Sequence, residues 1–500
     1  MNLVHGLVFL FNLVFVRALF IDGCPLWGCR PSGSFSFYLK VPHQNATVNW
    51  VSDLTLDPVP NALGCVADSV NIVCQSNGPF KEDTGFICLS VDNGTLQWRD
   101  KVLHFPTLPL LDNYGDVTGS DGRFLVHYDF DGKLYPKIKC YGLVPMFSMQ
   151  LVGTMYLLLV GEQGGLVVRD TNAIPVAEIF LNDTIQNANG TFLPISQPVV
   201  NGQRFYLLTE FVPEDDSDSY APSVLNLQRL FAIDINDRPA DIMTIAWFFN
   251  FEMEDKHTTL SDKLIFQSRQ MQNEKHDMKI SRDGYSGFNR RARMNLITDS
   301  INSMQNVLWN NASGTIFVSL PPPYLSSRND LRSFWIFEDK NDTVQLVSRS
   351  DNLYVTHMST WEPDSDWIQY DARKTMTSYI WATTMDSMLI QINADGSLSK
   401  SIDLRNLLGD TTRVTTKIAL TKDTDESSEV IVFGVMVGLQ SYAVAIDASL
   451  GTVLWKLPVP NNMVLKGQVS GVSGAASRIR DQLILYAELP GKSAQIISIH

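Results

Sequence analysis

Large and small apolar side chains alternate at residues 442–446, where Tyr442, Val444 and Ile446 are separated by Ala443 and Ala445. A period of two marks a strand, and the alternation in size suits one sandwiched between neighbouring sheets at unequal spacings. Asp447 follows, a short acid able to accept backbone N–H groups and start a turn. Gly451 supplies a positive φ, and 452–455 returns as a β-branched strand ending in Trp455. Weaker copies of this hairpin stand at 87–98 (ICLSVDNGTLQW), 126–135 (VHYDFDGKLY), 166–179 (LVVRDTNAIPVAEI), 230–247 (LFAIDINDRPADIMTIAW) and 389–402 (LIQINADGSLSKSI). The turn residues Gly94, Gly132 and Asn172 lie 38 and 40 positions apart, the length of one four-stranded blade.

At this spacing the chain reads as an all-β propeller of eight four-stranded blades. Seven run over 64–98, 108–141, 147–181, 197–251, 306–347, 367–404 and 415–457, and the last, 468–499, offers only three strands. Its missing outer strand is expected from 46–50 (ATVNW), so that N- and C-terminal segments share one sheet and no open edge remains. Trp50, Trp98, Trp247 and Trp455 end outer strands and are expected to be buried between blades. The repeat stops at about 252–305, an irregular insertion rich in both charges that holds Arg290, Arg291 and Arg293 and one strand-like run at 263–267 (KLIFQ). Acidic stretches at 214–219 and 423–429 lengthen two other hairpins and read as solvated faces, not calcium loops.

The pattern resembles the repeat of the quinoprotein alcohol dehydrogenase-like (PQQ-repeat-like) β-propeller superfamily, in which an apolar strand, an Asp, a Gly turn and a strand ending in Trp recur in each blade. The resemblance covers most of the chain after Phe35 and implies a radial fold, which many members use as a binding scaffold. Quinone-dependent members set a disulfide between adjacent cysteines against the cofactor, with calcium held by carboxylate and amide oxygens and an Asp as base. This chain has no Cys-Cys pair and no C-x-x-C-H haem attachment.

Residues 1–18 (MNLVHGLVFLFNLVFVRA) form an apolar run with Val16 and Ala18 where a signal peptidase needs small side chains. The run is shorter than the ~20 residues of a bilayer span, so it reads as a cleaved signal, with 19–500 as a single domain and no later transmembrane segment. The cysteines agree with that route: all six, Cys24, Cys29, Cys65, Cys74, Cys88 and Cys140, precede residue 141 and read as disulfide candidates. Cys24 and Cys29 are expected to close a small loop, and Cys74 and Cys88 fall on strands expected to lie side by side. Six sequons, at Asn45, Asn93, Asn182, Asn189, Asn311 and Asn341, are glycosylation candidates. The destination read from these features is extracellular, with the lumen of the secretory or endolysosomal system as the alternative.

A net charge of −14, moving to −15 when the one Arg and no acid of residues 1–18 are removed, repels phosphate backbones and argues against nucleic acid as partner. Against that background the Arg290–Arg293 cluster is the strongest basic patch, a candidate partner loop for a sulfated glycan or an acidic protein. Hydrophobic residues at 45% are ample for a core, which excludes disorder of the whole chain. Catalytic motifs are missing. There is no G-x-S-x-G, H-E-x-x-H or P-loop; 161–165 (GEQGG) lacks a phosphate-binding Lys and reads as a hairpin turn; and His104 and His127 read as surface or packed residues. The sequence therefore points to a secreted, glycosylated, disulfide-containing propeller acting as a non-catalytic scaffold for a protein or glycan partner, with no catalytic or metal residues to assign and no cofactor expected. The alternative is a divergent quinone- or metal-dependent oxidoreductase using pyrroloquinoline quinone with calcium.

Overall fold

The computed structural model describes residues 23–42, 45–52, 63–76, 84–103, 106–112, 114–140, 143, 145–153, 156–170, 173–214, 227–236, 242–251, 306–321, 333–351, 353–362, 377–422, 428–472, 481–489 and 493–500. The expected signal, the insertion at about 252–305 with Arg290, Arg291 and Arg293, His104, and most of both acidic stretches lie outside them.

Eight small antiparallel sheets follow one another along the chain and form an eight-bladed β-propeller. Blade 1 takes Cys65–Ala67, Asn71–Ser76, Gly85–Ser90 and Leu96–Arg99; blade 2 takes Leu110–Leu111, Val117–Ser120, Phe124–Tyr128 and Ile138–Lys139. Blade 3 runs through Met146–Val152, Tyr156–Gly161, Gly165–Arg169 and Pro175–Phe180. Blade 4 has Val199–Asn201, Arg204–Pro213, Gln228–Ile235 and Met243–Phe251; blade 5 has Val307–Asn310, Thr315–Leu320, Ser333–Asp339 and Val344–Ser350. Blade 6 comprises Val355–Ser359, Tyr379–Thr384, Met388–Asn393 and Leu398–Asp403, followed by a short helix, Leu404–Leu408. Blade 7 comprises Ala419–Lys422, Glu429–Val437, Gln440–Asp447 and Val453–Pro458, and blade 8 Val464–Val472, Gln482–Leu489 and Ser493–Ile499. First strands lie against one another between blades 8 and 1, 1 and 2, 3 and 4, 4 and 5, and 7 and 8 and are mostly buried, whereas outer strands such as Leu398–Asp403 face solvent. The face on which first strands begin is termed upper, and the one on which they end lower.

The turn chemistry is local. Asp447 Oδ1 accepts the backbone N–H groups of Ser449 and Leu450 at 2.8 and 2.9 Å. Third and fourth strands of blades 1, 3, 4, 5, 6 and 7 each carry one register shift, a bulge that adds the twist a blade needs to meet the next. The repeat also works between blades. Trp50, on the outer strand of blade 8, lies under Gly94 of blade 1, and Trp98 of blade 1 lies under Gly132 of blade 2, where an added Cβ would fall 2.4 and 2.3 Å from the ring. Glycine is needed there for this approach as much as for its φ. Trp247 and Trp455 are buried, while Trp50 and Trp98 are half-buried, Trp98 stacking on Tyr128 with ring centroids 5.2 Å apart.

Ring closure uses the N-terminal segment twice. Val48–Val51 pairs antiparallel with Ser493–Ile499 as the outer strand of blade 8, with Trp50 opposite Ser498. Ahead of it, Ser36–Tyr38 pairs parallel with Ala419–Lys422 inside blade 7. Two blade boundaries differ from the sequence reading. Blade 6 begins at Val355, not at 367, because Val355–Ser359 (VTHMS) is a strand whose polar residues hide its apolar face. Blade 4 gains a hairpin, Asn182–Ile185 with Ala188–Pro194, whose second strand pairs with Arg204–Pro213 beyond the reach of Val199–Asn201.

The cysteines resolve into two bridges, Cys24–Cys29 and Cys65–Cys74. Cys74 sits opposite Cys65 on the first strand, and Cys88 opposite Val73, so Cys74 and Cys88 are on adjacent strands but out of register. Cys88 and Cys140 carry free, buried thiols, a correction to their reading as disulfide candidates. Burial, reinforced by Asp68, pushes the Cys88 thiol up to about 12, which makes it a core side chain and not a nucleophile.

Candidate functional site

In a propeller the first strands surround a central channel, and polar groups converging there are the usual means of holding a small molecule. Here the chain's own residues 23–38 run through it. Cys24 exchanges both backbone hydrogen bonds with Ala67 of blade 1 at 2.8 and 2.9 Å, and Leu111 N of blade 2 donates to Pro25 O at 2.8 Å. Leu26 shares an apolar cluster with Met146 and Met149 of blade 3. Val200 N of blade 4 donates to Pro31 O at 2.8 Å, Trp309 N of blade 5 to Ser32 O at 3.2 Å, and Thr360 N beside blade 6 to Ser34 O at 3.0 Å. Leu420 N of blade 7 donates to Phe35 O at 2.9 Å, and from blade 8 the Gln468 side chain accepts from Gly28 N at 3.2 Å. A segment that meets the first strands of all eight blades lies on the axis.

Its sequence, CPLWGCRPSGSFSF over 24–37, suits that place. The Cys24–Cys29 bridge closes a loop compact enough for the channel, and small residues follow where strands approach closely. Gly28, at φ +80°, is required: a Cβ there would meet Gly33 Cα at 2.7 Å. Trp27 and Phe35, both buried, meet edge to face at 5.0 Å and fill the space the eight strands leave. Gln468, 1% exposed, ties the loop to the wall, its Nε2 donating to Cys65 O at 2.8 Å while Oε1 takes Gly28 N.

Three titratable side chains, Glu362, His357 and Lys417, mark the axial region. On the lower side Glu362 accepts from the Ser32 hydroxyl and from Asn311 Nδ2, and its backbone N–H donates to Ser36 Oγ at 3.1 Å. Burial raises its carboxyl above the usual range, opposed by the Ser32 hydrogen bond and by Arg30. Three residues before the levels of Thr360 and Leu420 lie His357 and Lys417, both buried. Burial holds the Lys417 amine down at about 7, and burial first and Lys417 second drive the His357 imidazole well below its usual value.

The Lys417 shift has a measurable consequence. The unfolded chain keeps this proton up to about pH 10.5 and the folded chain only to about 7, so between them the unfolded state binds more protons and stability rises with pH. His357 acts in the same direction below pH 6.5; Glu362, raised by burial, acts in the opposite direction above pH 4.5, and the Cys88 and Cys140 thiols do so from about pH 9. Urea unfolding at pH 7, 8 and 9 is expected to show wild type gaining on the order of 2 kcal/mol, with Lys417→Met flattening the slope. A wild-type slope near zero, or one unchanged in the variant, overturns the assignment.

Among the described residues no group of three or more His, Cys, Asp or Glu side chains is arranged to hold a metal ion, and no helix is long and apolar enough to cross a membrane. The six sequon asparagines Asn45, Asn93, Asn182, Asn189, Asn311 and Asn341 are all exposed. Gly161 and Gly164 form the turn between two strands of blade 3. His127 is half-buried, within 3.6 Å of Asp116 and hydrogen-bonded to Thr118. Sequence reasoning missed the axial segment altogether. The available signal was a run of buried-type residues, Trp27, Phe35 and Phe37, before the first blade with no strand periodicity to explain them.

No family model matches the chain, and no curated protein matches it. Among solved structures, the quinohemoprotein alcohol dehydrogenase ADHIIG of Pseudomonas putida HK5 is similar at 11% identity and a TM-score of 0.42, over 98% of this chain and 81% of that one. A europium-containing methanol dehydrogenase is similar at 8% identity and a TM-score of 0.41, over 98% and 99%. The C-terminal WD40 domain of Sif2 is similar at 8% identity and a TM-score of 0.44, over 91% and 98%.

Proposed function

We propose that this protein is a secreted, N-glycosylated propeller that acts as a non-catalytic binding scaffold. The observation that carries the reading is the axis: residues 23–38 take the hydrogen bonds and apolar contacts of the first strands, which therefore converge on the chain's own backbone and not on a ligand. Binding then falls to the loops on the two faces, which the repeat leaves free to vary. Exposed sequons and two disulfides are consistent with the secretory route and an extracellular destination. The residues present do not fit pyrroloquinoline quinone with calcium: the bridges join cysteines 5 and 9 positions apart, neither of them vicinal.

The test is direct. Protein purified from the medium of secreting animal cells is mixed with pyrroloquinoline quinone and calcium, and its visible spectrum and dye-linked alcohol oxidation are recorded. Neither a perturbed quinone spectrum nor turnover is expected; turnover would establish the oxidoreductase alternative. Retention of the chain inside the cells without any endoglycosidase-sensitive mass would overturn the secreted reading.

A further inference from the structure

The hairpin that enlarges blade 4 carries one sequon on each strand. Asn182 sits opposite Thr191, and Thr184 opposite Asn189, so each sequon's hydroxyl faces the other sequon's asparagine. The contacts follow the register: Thr191 Oγ1 donates to Asn182 Oδ1 at 2.8 Å, and Thr184 Oγ1 to Asn189 Oδ1 at 2.7 Å. Opposed residues, and residues two apart on one strand, project to the same side, so these four share a face. The other face is turned to the protein: Asp183 Oδ2 takes the Arg229 guanidinium at 2.7 Å, and a Cβ on Gly190 would strike Phe211 at 2.5 Å. Asn182–Ile185 ends the sheet and pairs, among the described residues, with Ala188–Pro194 alone; Asp183 Oδ1 takes the Thr184 N–H at 2.8 Å, and the short edge that remains can meet another chain.

We propose that Asn182 and Asn189 form a paired N-glycosylation site whose two glycans cover this edge and keep the propeller monomeric. The inference rests on the secreted reading. Each transfer replaces one Nδ2–H bond by a bond from Nδ2 to the anomeric carbon of a lipid-pyrophosphate-linked oligosaccharide, with the proton and the lipid pyrophosphate leaving. The cross-strand bonds use Oδ1, so they survive the modification. Diagonal positions on a strand pair are ~7–8 Å apart, which roots both glycans in one patch above the edge.

Glycopeptide mass spectrometry of the secreted protein is expected to find Asn182 and Asn189 modified on the same molecules. Light scattering across concentration is expected to give a monomer for wild type and concentration-dependent dimers for N182Q/N189Q. Thr184→Ala/Thr191→Ala, which leaves both asparagines in place, and folded wild type stripped by endoglycosidase are expected to behave alike, which separates edge exposure from misfolding. Unmodified Asn182 and Asn189 in protein glycosylated elsewhere would overturn the paired site and leave the secreted reading standing. Stripped protein that stays monomeric at every concentration would overturn the edge-covering role.

Discussion

A chain that begins at residue 42 is expected to lose its cooperative thermal transition, although it keeps every strand of all eight blades except Ser36–Tyr38. Removing the axial segment with residues 39–41 strips Leu26, Trp27, Phe35, Phe37, Leu39 and Val41, each 5% exposed or less, from the interior. At roughly 1.5–3 kcal/mol for each buried side chain, the loss is about 9–18 kcal/mol, against a whole-domain stability of about 5–15 kcal/mol. First-strand N–H groups at Leu111, Val200, Trp309 and Leu420 would lose their acceptors as well. The measurement is calorimetry with near-ultraviolet circular dichroism. A truncated chain that still melts cooperatively within a few degrees of the full one would show that the blades stand without their axial segment. A gentler version is Gln468→Leu, which keeps the volume but removes the amide that joins Gly28 N to Cys65 O; Cys65 O keeps the Ser470 hydroxyl, so the variant is expected to cost about 1–3 kcal/mol through Gly28 N, which it leaves unpaired.

What could be read from the sequence was whatever depends on residues near one another in the chain. Asp447, Gly451 and Trp455 lie within nine positions, and their turn, bulge and outer strand form as their spacing implies. Closure was legible for a different reason: a three-strand last repeat and a spare strand at Trp50 leave only one pairing that satisfies both edges. The axial segment was not legible. Its partners are Ala67, Leu111, Val200, Trp309, Thr360, Leu420 and Gln468, spread over some 400 positions, and nothing in CPLWGCRPSGSFSF has a period that announces them. The same limit hid the partner of Cys74, because the choice between Cys65 and Cys88 turns on which cross-strand neighbour is in register, a distinction of one residue that composition does not encode. It also hid the hairpin at Asn182, whose short polar strands look like a loop and are held by Arg229, 46 positions away.

Arg204→Met is expected to cost about 3 kcal/mol, the low end for losing one partner of a buried pair, because Arg204 is the cation of a partly buried network that joins blades 4 and 5. Its Nη1 donates to both oxygens of Asp339 at 2.8 Å, and its Nε and Nη2 grip Asp234 at 2.6 and 2.7 Å. Asp339, with a side chain 5% exposed, also accepts from the Tyr206 hydroxyl at 2.6 Å, Trp247 Nε1 at 3.0 Å and Asn341 N at 2.9 Å. The hydrogen bonds to Asp234 and Asp339 raise the Arg204 pKa further above its already high value, and burial followed by Asp339 raises that of Tyr206, so the guanidinium stays charged and the phenol neutral at any working pH. Without Arg204 the Asp339 carboxylate would remain buried on neutral donors alone, whereas Asp339→Asn in the same chain removes the stranded charge. A double-mutant cycle by urea unfolding is therefore expected to show strong coupling, with Arg204→Met/Asp339→Asn recovering more than about 1 kcal/mol of the single-variant loss. A cost below ~1 kcal/mol for Arg204→Met, or strict additivity, would mean that the contact is solvated and that apolar packing, led by the stack of Tyr206 on Trp309 at 5.3 Å, holds these two blades together.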